Sequence, residues 1–409
     1  MRMRNSDHKV QSVYEHILEK EQDAVSKIAI FTNSIYTMGG VPRVVCVMAN
    51  EFVKRHDVTI FTMDAPGNNN NLFQLSPQVK VERYLPYKGD AVSFVFRAMT
   101  HVTPWVVYDL FPSILNRAYC CKRYAQKMYE LIGDHYDIVI AAAWQLSIIL
   151  GQVCKEYPHT FKAIGWEHNS YEAYFREKYF YLYRHEEFYR ENVKYLNDVV
   201  VLNQDYARKY KEFLDIDCQV IYNPKSFTNE KKSKLINKHF VTCGRFDNCK
   251  GFDLLIDAFS IFAESDREWD LWIAGDGSLQ RKLRKKVNKL GLGERIIFLG
   301  RVEDVGKLLS ESSVYLLTSR YEGFPMSVTE AFETGLPVLS FDIPAMFPFK
   351  EIEAVETVEC YDVQQFAKAM FDIAGDYEKR YRLGQKALAF ARDLSPEKIA
   401  ECWDVYMKE

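Results

Sequence analysis

Two carboxylates, Glu322 and Glu330, are separated by seven intervening residues, with a Gly323-Phe324-Pro325 turn after the first. Val314–Leu317 before them reads as a buried strand, and the residues from Met326 onward read as a helix. A loop that opens a helix presents unpaired backbone N–H groups and a positive dipole end, which suits phosphate. Carboxylates cannot hold phosphate, but they accept hydrogen bonds from sugar hydroxyls. This one segment can therefore grip both ends of a nucleotide-sugar. The sugar would lie at Glu322, the diphosphate at Gly323, Phe324, Pro325 and Met326, and the ribose at Glu330. The plainer alternative is one exposed Glu and one Glu on a helix face.

A second loop carries opposite charge. Gly244-Arg245-Phe246-Asp247-Asn248-Cys249-Lys250-Gly251 follows a strand at 239–242 and precedes a helix at 252–262. Glycine lets a backbone approach a ligand closely, and Arg245 with Lys250 offers the two cations that a diphosphate leaving group needs. Its alternative is a solvated turn whose cations face water. Earlier in the chain, Gly39 and Gly40 sit between a first strand and a helix start. Glu167-His168-Asn169 closes a later strand.

The elements that must position these loops alternate. Strands are expected at 27–32, 57–63, 138–142, 163–166 and 198–202, with a helix at 42–54. After a break at Tyr222-Asn223-Pro224 a second series begins, with strands at 239–242, 270–274, 296–299, 314–317 and 337–341. Such β-α-β alternation specifies parallel sheets covered by helices on both faces. The expected architecture is α/β, with two Rossmann-like domains facing each other across a cleft. Ligands of such sheets bind at the carboxyl ends of the strands. The expected division is an extension over 1–25, a first domain over 26–222, a second over 223–394, and a final helix over 395–409.

Composition narrows the class. The chain has 409 residues, enough for two domains, and a net charge of −3, which gives no argument for nucleic acid. Nine cysteines are scattered without metal spacing, which favours reduced thiols, a cytoplasmic setting and no metal site. No apolar run reaches the ~18 residues of a membrane span.

The string from Tyr321 to Asp342 resembles the E-x7-E signature of retaining glycosyltransferases of family 4, which have the GT-B fold. The resemblance is strong over 236–345, moderate over 26–62 and weak over 64–160. It implies that Arg245 and Lys250 contact the donor's phosphates, that the Gly39-Gly40 loop approaches the transferred sugar or β-phosphate, and that His168 contacts that sugar. It implies that backbone near Val302 reads the nucleobase and that the Gly275-Asp276-Gly277 turn shapes the nucleotide pocket. It further implies that the last helix returns to the first domain. The chain has Val41-Pro42 where family members often have Ala-Glu. The implied activity moves a hexose or N-acetylhexosamine from a nucleotide diphosphate sugar, UDP-sugar by family frequency, to an acceptor hydroxyl on a glycan or lipid-linked carrier. No cofactor beyond that co-substrate is implied.

Two rivals share the fold: a non-catalytic partner subunit and a sugar-nucleotide epimerase. A further stretch, 93–127, holds Trp105, Tyr108, Phe111 and Ile114 among five cations against one anion, Asp109. Apolar residues beside cations suit an anionic membrane surface, at which the protein would be peripheral. Helices packing on the first sheet would read the same way.

Overall fold

The computed structural model describes residues 25–64, 71–84, 121–177 and 182–408. The first domain runs β1 (Lys27–Thr32), α1 (Gly40–Phe52), β2 (Asp57–Thr62), β3 (Lys80–Arg83), α2 (Cys121–Ile132) and β4 (Ile138–Ala141). It continues with α3 (Trp144–Glu156), β5 (Lys162–Trp166), α4 (Tyr171–Phe175), α5 (Glu186–Val193), β6 (Asp198–Val201), α6 (Gln204–Leu214) and β7 (Cys218–Val220). These seven strands form one parallel sheet in the order β3-β2-β1-β4-β5-β6-β7.

The second domain opens with β8 (His239–Cys243), α7 (Phe252–Ser265), β9 (Asp270–Ala274), α8 (Gln280–Lys289), β10 (Ile296–Gly300) and α9 (Val305–Ser310). Then come β11 (Val314–Leu317), α10 (Met326–Glu333), β12 (Val338–Phe341), α11 (Phe347–Glu351), β13 (Val355–Val358), α12 (Val363–Gly375) and α13 (Tyr377–Asp393). Its sheet is also parallel, in the order β10-β9-β8-β11-β12-β13.

The strands are apolar runs because both faces of each sheet are covered. In β1 the side chains divide with period two: Ile28 and Ile30 join one buried cluster, Ala29 and Phe31 another. Strands β3, β7 and β13 were not among those expected from sequence. β3 is an exposed edge strand of Lys-Val-Glu-Arg, and β7 has only three residues, so neither carries an apolar run. Helix α1 starts two residues before the expected Pro42. The missing proline N–H costs nothing in a first turn, where N–H groups have no helical acceptor.

The final helix, α14 (Pro396–Lys408), lies on the first domain. Trp403 is buried against Trp166 and Phe52, with ring centroids 5.1 and 6.1 Å away. Asp404 holds Arg55 at 2.8 Å and His56 Nε2 at 3.2 Å. His56 thus helps to fasten this helix. The linker is fastened at the other side. Lys225 Nζ donates to Glu333 Oε2 at 2.7 Å, and Lys232 Nζ donates to Glu333 Oε1 at 2.7 Å. The helix that ends in Glu333 is the one that carries Glu330.

The extension 1–25 lies, except for Val25, outside the described residues, as does most of 93–127. The described end of the latter, α2, packs along α3, with Lys122 3.6 Å from Glu156.

Candidate functional site

The expected loops gather where the carboxyl ends of the two sheets meet. Lys250 and Glu322 are in direct contact: Lys250 Nζ donates to Glu322 Oε1 at 2.7 Å, and Ser319 Oγ donates to the same oxygen at 2.6 Å. The two loops are stitched along their backbones. Thr318 Oγ1 donates to the carbonyl of Gly251 at 3.1 Å, and Arg320 N donates to that of Cys249 at 2.7 Å. Gly251 has φ +62°, and a Cβ there would lie 2.0 Å from the Thr318 carbonyl, so only glycine permits this approach. Arg320 also forks onto both oxygens of Asp253 at 3.0 and 2.8 Å.

The two cations differ. Burial pulls the Lys250 ammonium down, but the adjacent Glu322 carboxylate outweighs it, and the net shift is upward, so Lys250 stays charged. Its side chain is 22% exposed. Arg245 is 75% exposed and its Nε donates to Asp247 at 2.7 Å. The Gly275-Asp276-Gly277 turn supports this loop, with Phe246 N donating to the Asp276 carbonyl at 2.6 Å. Half-buried Val302 follows Gly300, whose carbonyl accepts from Gly275 N at 2.7 Å.

Beyond Glu322 the backbone has hydrogen-bonding capacity to spare. Among the described residues, no acceptor meets the N–H groups of Gly323, Phe324, Met326 or Ser327. Pro325, at the N-cap of α10, has no N–H and provides no side-chain cap. Four donors are therefore left without an acceptor at the positive end of a helix.

Glu330 is buried on α10, and its partner comes from the opposite domain: Arg43 Nη1 of α1 donates to Glu330 Oε1. Burial raises the Glu330 carboxyl above its ordinary value, while Arg43 opposes the rise. The expected ribose carboxylate is thus bridged to the first domain. Arg43 directly follows Gly-Gly-Val-Pro, but nothing in its position along the chain signals a partner 287 residues away.

The other first-domain groups stand close by. Gly40 faces Met326, whose Cγ is 3.8 Å from where a Cβ on Gly40 would be. His168 is buried against Trp166, with ring centroids 4.5 Å apart, and neither ring nitrogen has a hydrogen-bond partner among the described residues. Burial lowers its pKa to about 3, so the imidazole is neutral at working pH. The preceding Glu167 is fully buried. Its Oε1 accepts from Ser147 Oγ at 2.7 Å and Tyr189 Oη at 2.8 Å, and burial pushes its carboxyl up to about 7. Among the described residues no group of three or more His, Cys, Asp or Glu is arranged to hold a metal ion, and no helix is long and apolar enough to cross a membrane.

Known proteins are similar to this chain in sequence and in fold. Residues 225–390, most of the second domain, match the family described as "Glycosyl transferases group 1". An uncharacterized glycosyltransferase of Haemophilus influenzae is 25% identical over 395 residues, covering 93% of this chain and 99% of its own. The Campylobacter jejuni enzyme named GalNAc-alpha-(1->4)-GalNAc-alpha-(1->3)-diNAcBac-PP-undecaprenol alpha-1,4-N-acetyl-D-galactosaminyltransferase is 25% identical, covering 89% of this chain and 94% of its own. Among solved structures, a TarM variant of S. aureus with Fondaparinux, alpha-GlcNAc-glycerol and UDP superposes with a TM-score of 0.73 at 16% identity, covering 94% of this chain and 100% of its own. Anabaena HepE with UDP and glucose superposes with a TM-score of 0.69 at 16% identity, covering 94% and 99%. The fold is GT-B.

Proposed function

We propose that this protein is a retaining glycosyltransferase that moves a hexose or N-acetylhexosamine from a nucleoside diphosphate sugar, UDP-sugar first among them, to an acceptor hydroxyl. The acceptor class is a glycan, a lipid-linked carrier or a cell-surface polysaccharide. One observation carries the reading: four amide donors without acceptors open α10 within the same loop pair as the Lys250 ammonium and the Glu322 carboxylate. Fixed donors and a cation aimed where negative charge develops are what departure of a diphosphate requires. The UDP in the TarM and HepE complexes and the undecaprenol-linked substrate of the Campylobacter relative support the donor and acceptor classes.

In the transfer, the bond from the sugar's anomeric carbon to the diphosphate oxygen breaks as a bond to the acceptor oxygen forms on the same face. The acceptor's proton passes to the departing phosphate. Lys250, Arg245 and the N–H groups of Gly323, Phe324, Met326 and Ser327 take up the charge of the leaving group. Glu322 orients the sugar hydroxyls, Glu330 the ribose, and neutral His168 meets the sugar without adding charge. Because these groups neutralise the leaving group themselves, we expect turnover to survive chelation.

Calorimetric titration with UDP, GDP and ADP, followed by UDP-sugar turnover before and after EDTA, tests the reading. No binding of any nucleoside diphosphate would overturn it. Turnover lost to EDTA and restored by Mn²⁺ or Mg²⁺ would overturn metal independence alone. Accumulation of an epimer from UDP-sugar without acceptor would favour the epimerase instead. Docking at the inner face of an anionic membrane through 93–127 is part of the proposal. Salt-sensitive co-sedimentation with anionic vesicles tests it, and no binding at low salt would remove it.

A further inference from the structure

The loop that bears Glu322 is held from the first domain by a side chain outside every motif of the sequence. Tyr206 lies in the first turn of α6 and is 0% exposed. Its hydroxyl donates across the cleft to two successive carbonyls of the second domain, Gly323 at 2.8 Å and Glu322 at 3.1 Å. The start of α6 is itself fixed. Asn203 Oδ1 caps the helix by accepting from Tyr206 N at 2.8 Å, and Asn203 Nδ2 donates to the Pro344 carbonyl of the second domain at 3.4 Å. Burial, reinforced by the Glu172 carboxylate, raises the Tyr206 phenol well above its ordinary pKa, so it remains a donor.

The direction of those carbonyls decides the direction of the adjoining amides. Peptide planes are rigid, and no cis bond occurs among the described residues, so each N–H points opposite to the C=O of its own plane. The Glu322 carbonyl shares its plane with the Gly323 N–H, and the Gly323 carbonyl shares its plane with the Phe324 N–H. With both carbonyls turned onto Tyr206, both N–H groups are turned away from it, and these are two of the four donors without acceptors. The other side of the loop is closed to rotation as well. A Cβ on Gly323 would stand 1.7 Å from the His168 carbonyl oxygen, which shows how tightly the first domain presses on this peptide.

We infer that Tyr206 is a positioning residue for the transfer: its hydroxyl, available only when the domains are together, turns the Gly323 and Phe324 amides toward the donor's diphosphate. The inference rests on the diphosphate reading of α10. It also makes the phosphate-binding edge of the second domain depend on the first. Separated domains would leave the two peptides free to rotate, and fixed dipoles stabilise charge only when they need no reorientation at the moment of reaction.

Tyr206→Phe keeps the ring and removes the hydroxyl, and the variant is compared with the wild type in three measurements. Affinity for UDP (or for GDP or ADP, if wild type binds one of these more tightly) should fall about three- to tenfold. Affinity for the matching nucleoside, followed by ligand-observed NMR, should hold within about twofold, because base and ribose contacts are made elsewhere. The kcat for sugar transfer should fall about tenfold, the worth of one buried hydrogen bond expressed as a rate. Equal losses for diphosphate and nucleoside would mean that Tyr206 merely supports the fold, and would overturn the inference. So would unchanged diphosphate affinity and kcat. If wild type binds no nucleoside diphosphate, the proposed function fails first, and this inference fails with it.

Discussion

The second domain brings polar groups to the cleft on two loops that are far apart in sequence but neighbours in space. Lys250, Glu322, Ser319 and the amides after Glu322 come from two adjacent strand ends, β8 and β11, and are tied together by short hydrogen bonds. The first domain contributes one group at a time. Arg43 comes from α1, His168 from the end of β5 and Tyr206 from α6, and none of them touches its partner through a local motif. The wall that would hold the leaving group is thus preassembled within one domain. The wall opposite acts on it only across the interface, and so it can regulate geometry without owning the charge.

The sharpest way to break this comparison is Lys250→Ala. Turnover should fall about 100-fold or more, the cost of one lost donor at a developing anion. Arg245→Ala should cost less, about tenfold, because exposed Arg245 spends part of its charge on Asp247. Near-normal rates in both variants would show that the second domain does not own the leaving-group chemistry.

The two carboxylates should then separate. Glu330→Ala should weaken free nucleotide binding by about tenfold, as one charged hydrogen-bonding partner is lost. Glu322→Gln should spare free nucleotide and damage transfer instead. Titrating UDP and UDP-sugar into each variant distinguishes them, and identical losses of both ligands in both variants would contradict the assignment.

A pH test addresses the first domain. Glu167 is raised from 4.5 to about 7 by burial, so the folded protein holds a proton that the unfolded chain releases. Its contribution to stability is complete below the unfolded pKa and is lost as pH rises through about 7. Wild type should therefore lose thermal stability between about pH 5 and 7.5 relative to Glu167→Gln. Parallel melting curves across that range would place the titrating group elsewhere.

The smallest effect is expected at Arg43. Nucleotide entry must compete with Arg43 for Glu330, so Arg43→Ala should tighten free UDP by a few-fold. Weaker binding by calorimetry would mean that Arg43 holds the nucleotide itself.

Much of this wall-to-wall difference could be read from residues in order. Apolar runs such as Ile28 to Phe31 and Val314 to Leu317 are strands because each is buried on both faces, and their ends place the Gly244–Gly251 loop and the Glu322 turn at the cleft. Edge strands β3 and β7 were not legible, since they carry no apolar run. Neither Tyr206 nor the pairing of Arg43 with Glu330 left a sequence signal. A tyrosine in an amphipathic helix and an arginine after a Gly-Gly turn look like many others.

By itself, then, the chain determined what is short-ranged: the alternation of strands and helices, the glycines that bound the Gly244–Gly251 loop, and the placing of Arg245 with Lys250 in one segment and of Glu322 with Glu330 in another. The tertiary structure alone decided which of these charges meet. Lys250 faces Glu322 because β8 and β11 are paired in the sheet. Arg43 reaches Glu330 and Tyr206 reaches Gly323 because the linker at Lys225 and the helix bearing Trp403 fix how the two domains stand to each other. That placement is a long-range balance of packing and ion pairs, and no local run of residues encodes it.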